Sequence, residues 1–321
     1  MKLATATNNS PDGLLVVVSR DGSRYLVPDN FQTLQQAIEQ WDAAEKACQI
    51  LSERLEKGEG ESTAALNITA PLPRAWQWLD GSAFPSHGKL MQEAFKLPPL
   101  EYDKPLMYQG MSHLFHGPGE DIPFLREEDG IDFEGEFGVI IDDVPMGISA
   151  QDAMTHIKLL VQINDWSLRT LAPVEMKTGF GWIQAKPACS MAPFAITPSE
   201  AGESWHDGRL HLDMVVDWNE KRFGHPNGAT MEVGFHELIA HAAATRPLCA
   251  GTIIGSGTVS NDNFREVGST CISERRGIEM IDEGEPKTAF MKFGDRIRMQ
   301  VSHPDGSLLF GTLDQRVVKQ P

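Results

Sequence analysis

Apolar and polar positions change rhythm along this chain. The run Leu14-Leu15-Val16-Val17-Val18 follows the turn signal Pro11-Asp12-Gly13, and Asp21-Gly22 precedes a second short run at 24–27. Together they predict a hairpin or small meander. From Thr33, a fitting N-cap, Leu34, Ile38, Trp41, Cys48, Leu51 and Leu55 recur at steps of three, four and seven. That stripe predicts one long helix facing a core. It ends in the polar, glycine-containing stretch 57–63, where the spacing places a domain boundary. The division is a small N-terminal α/β domain at 1–65 and a larger domain at 66–321.

Beyond that boundary β patterns dominate. Residues 133–141, 210–218, 252–259 and 296–301 read as strands. Two helices interrupt them. One opens at Ser149 with Asp152 completing a capping box, and the other spans 235–244. The fold class expected is α+β with a mostly antiparallel core.

The 321 residues carry a net charge of −17, with 41% hydrophobic and 23% charged residues, a balance able to bury a core without crosslinks. No basic run offers a footprint for nucleic acid or an anionic membrane, so neither is expected as a partner. Cys48, Cys189, Cys249 and Cys271 are widely spaced and form no C-x-x-C pair, which argues for reduced, mostly buried thiols. No run approaches the roughly 18 apolar residues of a membrane helix. The first residues lack the basic-then-apolar pattern of a signal peptide. A cytoplasmic location is expected.

Candidate chemistry lies in the carboxylates. In Phe133-Glu134-Gly135-Glu136-Phe137, strand alternation turns Glu134 and Glu136 to one face and the two phenylalanines to the other. Two acids on one apolar strand repel and lose hydration, unless one takes a proton or a cation lies between them. A hard divalent ion held through oxygen meets that need. An edge strand with both acids in water is the alternative. Asp165 follows Val161-Gln162-Ile163-Asn164 at the end of a mainly apolar stretch, with Arg169 four residues on and Lys186 further along. Metal-binding carboxylates beside cations suit a chelating, anionic oxo-acid. A surface ion pair is the alternative for Arg169.

These residues resemble the fumarylacetoacetate hydrolase family. The resemblance rests on Glu134-Gly135-Glu136, Asn164-Asp165-Trp166-Ser167-Leu168-Arg169, Lys186-Pro187 and Gly257-Thr258-Val259-Ser260, in that order, and covers roughly residues 71–321. It implies a β-roll core of fumarylacetoacetase type and a homodimer. A divalent ion (Mg, Mn or Ca) is implied on Glu134, Glu136 and Asp165. In the long branch of the family an upstream Asp joins them, with a catalytic His seven residues later, which maps to Asp80 and His87. Tyr108, Gly257 and Thr258 resemble that branch's substrate contacts. The implied reaction is hydrolysis of a C–C bond in an acylpyruvate or related 1,3-dioxo acid, passing through an enolate. His87 would activate water, while Lys186, with Arg169, would stabilise the oxyanion. Decarboxylation, isomerisation and hydration of related oxo-acids are the family alternatives, and a catalytically silent binding protein is another.

Two positions depart from the branch. Ala172 stands where it has a Gln. Ungapped matching on Gly268-Ser269 puts Ile272 where it has the Glu that orients the catalytic His. Glu274, two residues on, would face the same side of a strand, and is taken as the substitute. Two histidine pairs are set aside. His236 and His241 form H-E-x-x-x-H, and five residues carry the second His off the shared helical face. His113 and His116 lie in a glycine- and proline-containing loop.

Overall fold

The computed structural model describes all residues except 97, 99–102 and 321. It is a mixed α+β fold with mostly antiparallel strand pairing, in line with the expectation. A twelve-stranded sheet forms its spine. From one edge its path runs Glu61–Ser62, Arg24–Leu26, Leu14–Val18, Lys2–Ala6, Ala195–Ile196, Ile157–Asn164, Gly135–Ile141, Ile253–Gly255, Trp78–Gly81 and Met107–Gly110. Ile253–Gly255 pairs in parallel with Trp78–Gly81. A five-stranded sheet runs Lys221–Gly224, Val215–Trp218, Arg296–Ser302, Leu308–Lys319 and Ile122–Phe124.

The apolar run in Gly135–Ile141 reflects its central place. It pairs with Ile157–Asn164 on one side and Ile253–Gly255 on the other, and all seven of its residues are buried. The hairpin Leu14–Val18/Arg24–Leu26 forms as expected. Its sheet does not stop at the N-terminal segment, because Lys2 and Leu3 pair with Ile196 and Ala195.

Several elements differ from the sequence pattern. The long helix is two, Leu34–Glu39 and Trp41–Glu56, broken at Gln40, whose φ of −130° is not helical. Thr33 does cap the first, its side chain accepting from the Gln36 amide. The strand expected at 133–141 is interrupted, with Ile131–Asp132 and Gly135–Ile141 flanking Phe133 and Glu134. The run 210–218 likewise divides into Arg209–Leu210 and Val215–Trp218. Of 252–259 only Ile253–Gly255 joins the ladder. Arg296–Ser302 and the helix Phe235–Ala242 stand close to the expected bounds, while the helix at Ser149 is only Ala150–Ala153.

The segment holding Glu274 differs most. It is not a strand but the first turn of a helix, Ile272–Glu283. Cys271 is still extended, and there the chain turns because its first amides find acceptors. Asp132 accepts from the Ile272 and Ser273 amides, and Cys271 Sγ from that of Glu274. This helix packs against a second one, Pro85–Phe95, with Pro85 in its first turn. Gly277 lets the two approach closely. A Cβ there would meet Leu90 Cδ2 at 2.5 Å and Met91 Cε at 2.7 Å.

Candidate metal centre and active site

Three strands of the large sheet deliver carboxylates to one point. Asp80 comes from Trp78–Gly81, Glu136 from Gly135–Ile141, and Asp165 follows Ile157–Asn164. One oxygen from each lies within 4.8 Å of the others, and all three residues are buried. Among the described residues no other three His, Cys, Asp or Glu side chains gather this way. At that spacing each pair of like charges repels by roughly 3.5 kcal/mol at an effective dielectric constant near 20. Three such pairs cost about 10 kcal/mol, comparable to the whole stability of a domain. A cation or a proton must therefore offset them. Without a cation, burial and then the charge of Asp165 push the Asp80 carboxyl up to about 8. Burial, then Asp80 and Asp165, drive Glu136 well above the carboxylate range. Neither oxygen of Glu136 has a hydrogen-bond partner among the described residues.

Gly257 completes the mount for Asp80. Its N–H donates to Asp80 Oδ1 at 3.0 Å, and its φ of +76° brings the backbone in where a Cβ would strike the Gly81 carbonyl at 2.4 Å.

Glu134 faces the same region but is engaged differently. Its Oε1 accepts from Lys186 Nζ at 2.6 Å and from Ser167 Oγ at 2.5 Å, and its Oε2 from the Thr258 hydroxyl. Arg169 NH2 lies 3.1 Å from Oε1. Burial alone would raise this carboxyl, but Arg169 and Lys186 outweigh it and hold Glu134 below the usual range. Lys186 bridges Glu134 and Asp165, reaching Asp165 Oδ2 at 2.5 Å. Burial would lower its ammonium; the two acids outweigh that and raise it. Arg169 Nε donates to buried Asp132 at 2.8 Å. Tyr108 Oη donates to Asp165 Oδ2 at 2.7 Å.

The structure thus brings Asp80, Glu136 and Asp165 together and joins Glu134 to them through Lys186. Tyr108, Gly257, Thr258 and Arg169, expected against substrate, each contact a carboxylate of this network. His87 and Glu274 also meet, across the crossing of their helices. His87 Nδ1 lies 3.5 Å from Glu274 Oε1, the His side chain being 21% exposed and the Glu fully buried. That separation is long for a hydrogen bond, as pairs without substrate often are.

A family model described as fumarylacetoacetate (FAA) hydrolase C-terminal matches residues 77–318, and one described as fumarylacetoacetase N-terminal domain 2 matches residues 1–74. The chain belongs to the fumarylacetoacetate hydrolase family. A curated member, 2,4-didehydro-3-deoxy-L-rhamnonate hydrolase of Sphingomonas sp. (strain SKA58), is 25% identical over 158 residues. The match spans 48% of this chain and about half, 53%, of that protein. Two solved members show the same fold over the full length of both chains. One is a probable 2-hydroxyhepta-2,4-diene-1,7-dioate isomerase from Mycobacterium abscessus, with a TM-score of 0.68 and 18% identity. The other is maleylpyruvate hydrolase from Sphingobium sp. SYK-6, in complex with manganese(II) ion and pyruvate, with a TM-score of 0.67 and 17% identity. The relatives of this family member therefore include both hydrolases and isomerases.

The donor set fits a hard divalent ion, being all oxygen, anionic and buried, with both Glu136 oxygens free to bind. Sequence reasoning missed several residues of the network. Ser167 and Ser260 stand in the matched motifs but the resemblance implies no role for them, while Asp132 and Cys189, whose Sγ lies 3.0 Å from Asp165 Oδ1, carry no spacing signal of their own. Trp182 also escaped notice. Its ring meets Tyr108 edge-on at 4.8 Å, and Lys186 Nζ sits 5.9 Å from it. The aromatic in Gly179-Phe180-Gly181-Trp182, shortly before Lys186, was the signal available. Of the histidines set aside, His116 pairs with Glu120 at 3.0 Å. His236 and His241 lie on Phe235–Ala242 and join no metal-like cluster.

Proposed function

We propose that this family member is a divalent-metal-dependent hydrolase that cleaves a C–C bond in an acylpyruvate or related 1,3-dioxo acid, and works as a homodimer. One observation carries the reading. A buried oxygen-donor cluster and a histidine–carboxylate pair are tied together by one short segment, in which Gly257 contacts Asp80, Thr258 contacts Glu134 and Ser260 contacts Glu274. When bound, the ion supplies Lewis-acid polarisation of a substrate carbonyl and offsets negative charge. His87 takes a proton from water, and the hydroxide adds to the carbonyl farther from the carboxylate end. Glu274 holds the imidazole and stabilises its protonated form. Lys186 spends two of its three N–H donors on Glu134 and Asp165, leaving one for the oxyanion. The C–C bond then breaks, its electron pair passes to the pyruvate methylene carbon, and the proton held by His87 returns there. The products are a carboxylic acid and pyruvate.

Isomerisation or decarboxylation of an oxo-acid would use the carboxylate cluster without a water-activating base. The His87–Glu274 contact favours hydrolysis. The test is a screen of acylpyruvates, oxaloacetate and unsaturated dioxo acids with manganese or magnesium present. Pyruvate with an equimolar acid is the expected yield, and His87→Ala should slow it by roughly 100-fold or more. Isomer or carbon dioxide, undiminished in His87→Ala, would reject the hydrolase reading. Silence across the whole panel would favour a binding protein.

A further inference from the structure

We propose that Ser260, backed by Ser86, is a positioning residue that sets the tautomer of His87 through Glu274; this rests on the reading of His87 as the base. Glu274 is fully buried, its Oε2 has no hydrogen-bond partner among the described residues, and its contacts therefore run through Oε1. Its Oε1 accepts from the Ser260 hydroxyl and also faces His87 Nδ1. A serine hydroxyl has one proton to give. Since Ser260 gives it to Glu274, its own oxygen serves as acceptor, and Ser86 Oγ donates to it at 2.9 Å. Both hydroxyls are buried.

The backbone of Ser260 is itself fixed. Its carbonyl accepts from Thr230 Oγ1 at 3.0 Å and from Asn261 Nδ2 at 2.8 Å. Ser86 adjoins His87 in the first turn of Pro85–Phe95. The contacts therefore close a ring, from that helix through Ser86, Ser260 and Glu274 to His87 and back to the helix. One serine sets where the acid stands relative to the base.

The consequence is electronic as well as steric. An ionised carboxylate can only accept, so the Ser260 hydroxyl acts by fixing where that acceptor stands opposite the imidazole. Nδ1 then carries the proton and Nε2 keeps its lone pair for water. Without Ser260, the buried carboxylate loses its anchor and the imidazole its tautomeric preference.

Two measurements test this. In protein labelled with nitrogen-15 at histidine, the His87 ring signals are identified by their absence in His87→Gln. With the ring neutral, wild type should show the Nδ1–H tautomer, and Ser260→Ala a mixture with Nε2–H. The same tautomer in both proteins would overturn the proposal. In the acylpyruvate assay, Ser260→Ala should lower kcat by about 10- to 100-fold with KM nearly unchanged. Added to Glu274→Ala it should cost less than about twofold more, because its effect passes through the missing carboxylate. An unchanged kcat, or an equal further loss in the Glu274→Ala background, would also overturn it. If wild type releases no pyruvate at all, the hydrolase reading fails. The tautomer comparison then still decides the role of Ser260.

Discussion

Glu136 is fully buried, and both its oxygens lack a partner among the described residues, an arrangement that costs stability unless a cation is present. Two effects of opposite sign follow from replacing it. Glu136→Ala should weaken manganese binding at least tenfold, read by calorimetric titration, because a hard-ion site loses one of its anionic ligands. In excess chelator, Glu136→Gln should melt no lower than wild type, since it removes a buried carboxyl with nothing to pair with. Unchanged manganese affinity in Glu136→Ala would place the ion elsewhere. Glu175 is the contrasting case. Its carboxylate accepts from the amides of Ile183, Gln184 and Ala185 and so clasps the stretch that leads to Lys186. Burial is the largest single influence and raises it, but the three amides together outweigh this and hold it below its ordinary 4.5. Because the folded value lies below the unfolded one, the clasp contributes fully above about 4.5 and is lost as pH falls through the lowered value. Glu175→Gln should therefore lower stability at pH 7, by less than the roughly 1 kcal/mol of a sheltered hydrogen bond, because solvent screens this largely exposed group. In urea melts that gap should close as pH falls through the lowered value, and a gap independent of pH would count against the clasp.

At the scale of elements, the approach of Pro85–Phe95 to Ile272–Glu283 decides whether base and acid meet. At Gly277, Ala gains helix propensity of up to about 1 kcal/mol, while its Cβ presses on the movable ends of Leu90 and Met91. The two effects nearly cancel. Val has no such room and should destabilise by about 1–3 kcal/mol while separating the helices. Gly277→Val is expected to lose turnover yet bind manganese as wild type does; loss of both together would mean general disruption. This crossing also shows what was legible beforehand. Strand alternation put Glu134 and Glu136 on one face, and both do point into the site. Pairing His87 with Glu274 relied on a two-residue strand step, and the structure joins them by another route. The segment is helical, and its first turn is capped by Asp132, a residue 140 positions away. A cap supplied from so far along the chain leaves no local pattern. The break at Gln40 was hidden for a related reason, since the apolar stripe continues across it into the same core.

For the whole molecule, the homodimer is the proposal most open to direct measurement. The stretch from Val174 to Ile183 exposes Val174, Met176, Phe180 and Ile183, with Phe180 98% accessible. A single chain seldom shows water so many large apolar side chains in one stretch. Light scattering at low micromolar concentration should give twice 35.4 kDa, and a value of 35.4 kDa would mean a monomer. A charged substitution at Phe180 should shift the balance toward the monomer. Net charge and the absence of a basic run were readable in sequence; this surface was not, because an apolar residue in a loop can be buried or bare.

The parallel pairing of Trp78–Gly81 with Ile253–Gly255 bears on how the protein assembles. Asp80 lies on the first of these strands, and the Gly257 amide that steadies it comes just after the second, 177 residues away. No fragment of the growing chain can hold the ion site until that late segment has docked. Contacts of such long range form slowly, since the entropy of loop closure is spent before they form. An ion bound there would thus lack its full ligand set during the search, with only Glu136 and Asp165 brought together by directly paired strands, and would act fully only once it ends. It should leave the rate of folding almost untouched and slow the rate of unfolding, as a latch does on a door that has already swung shut.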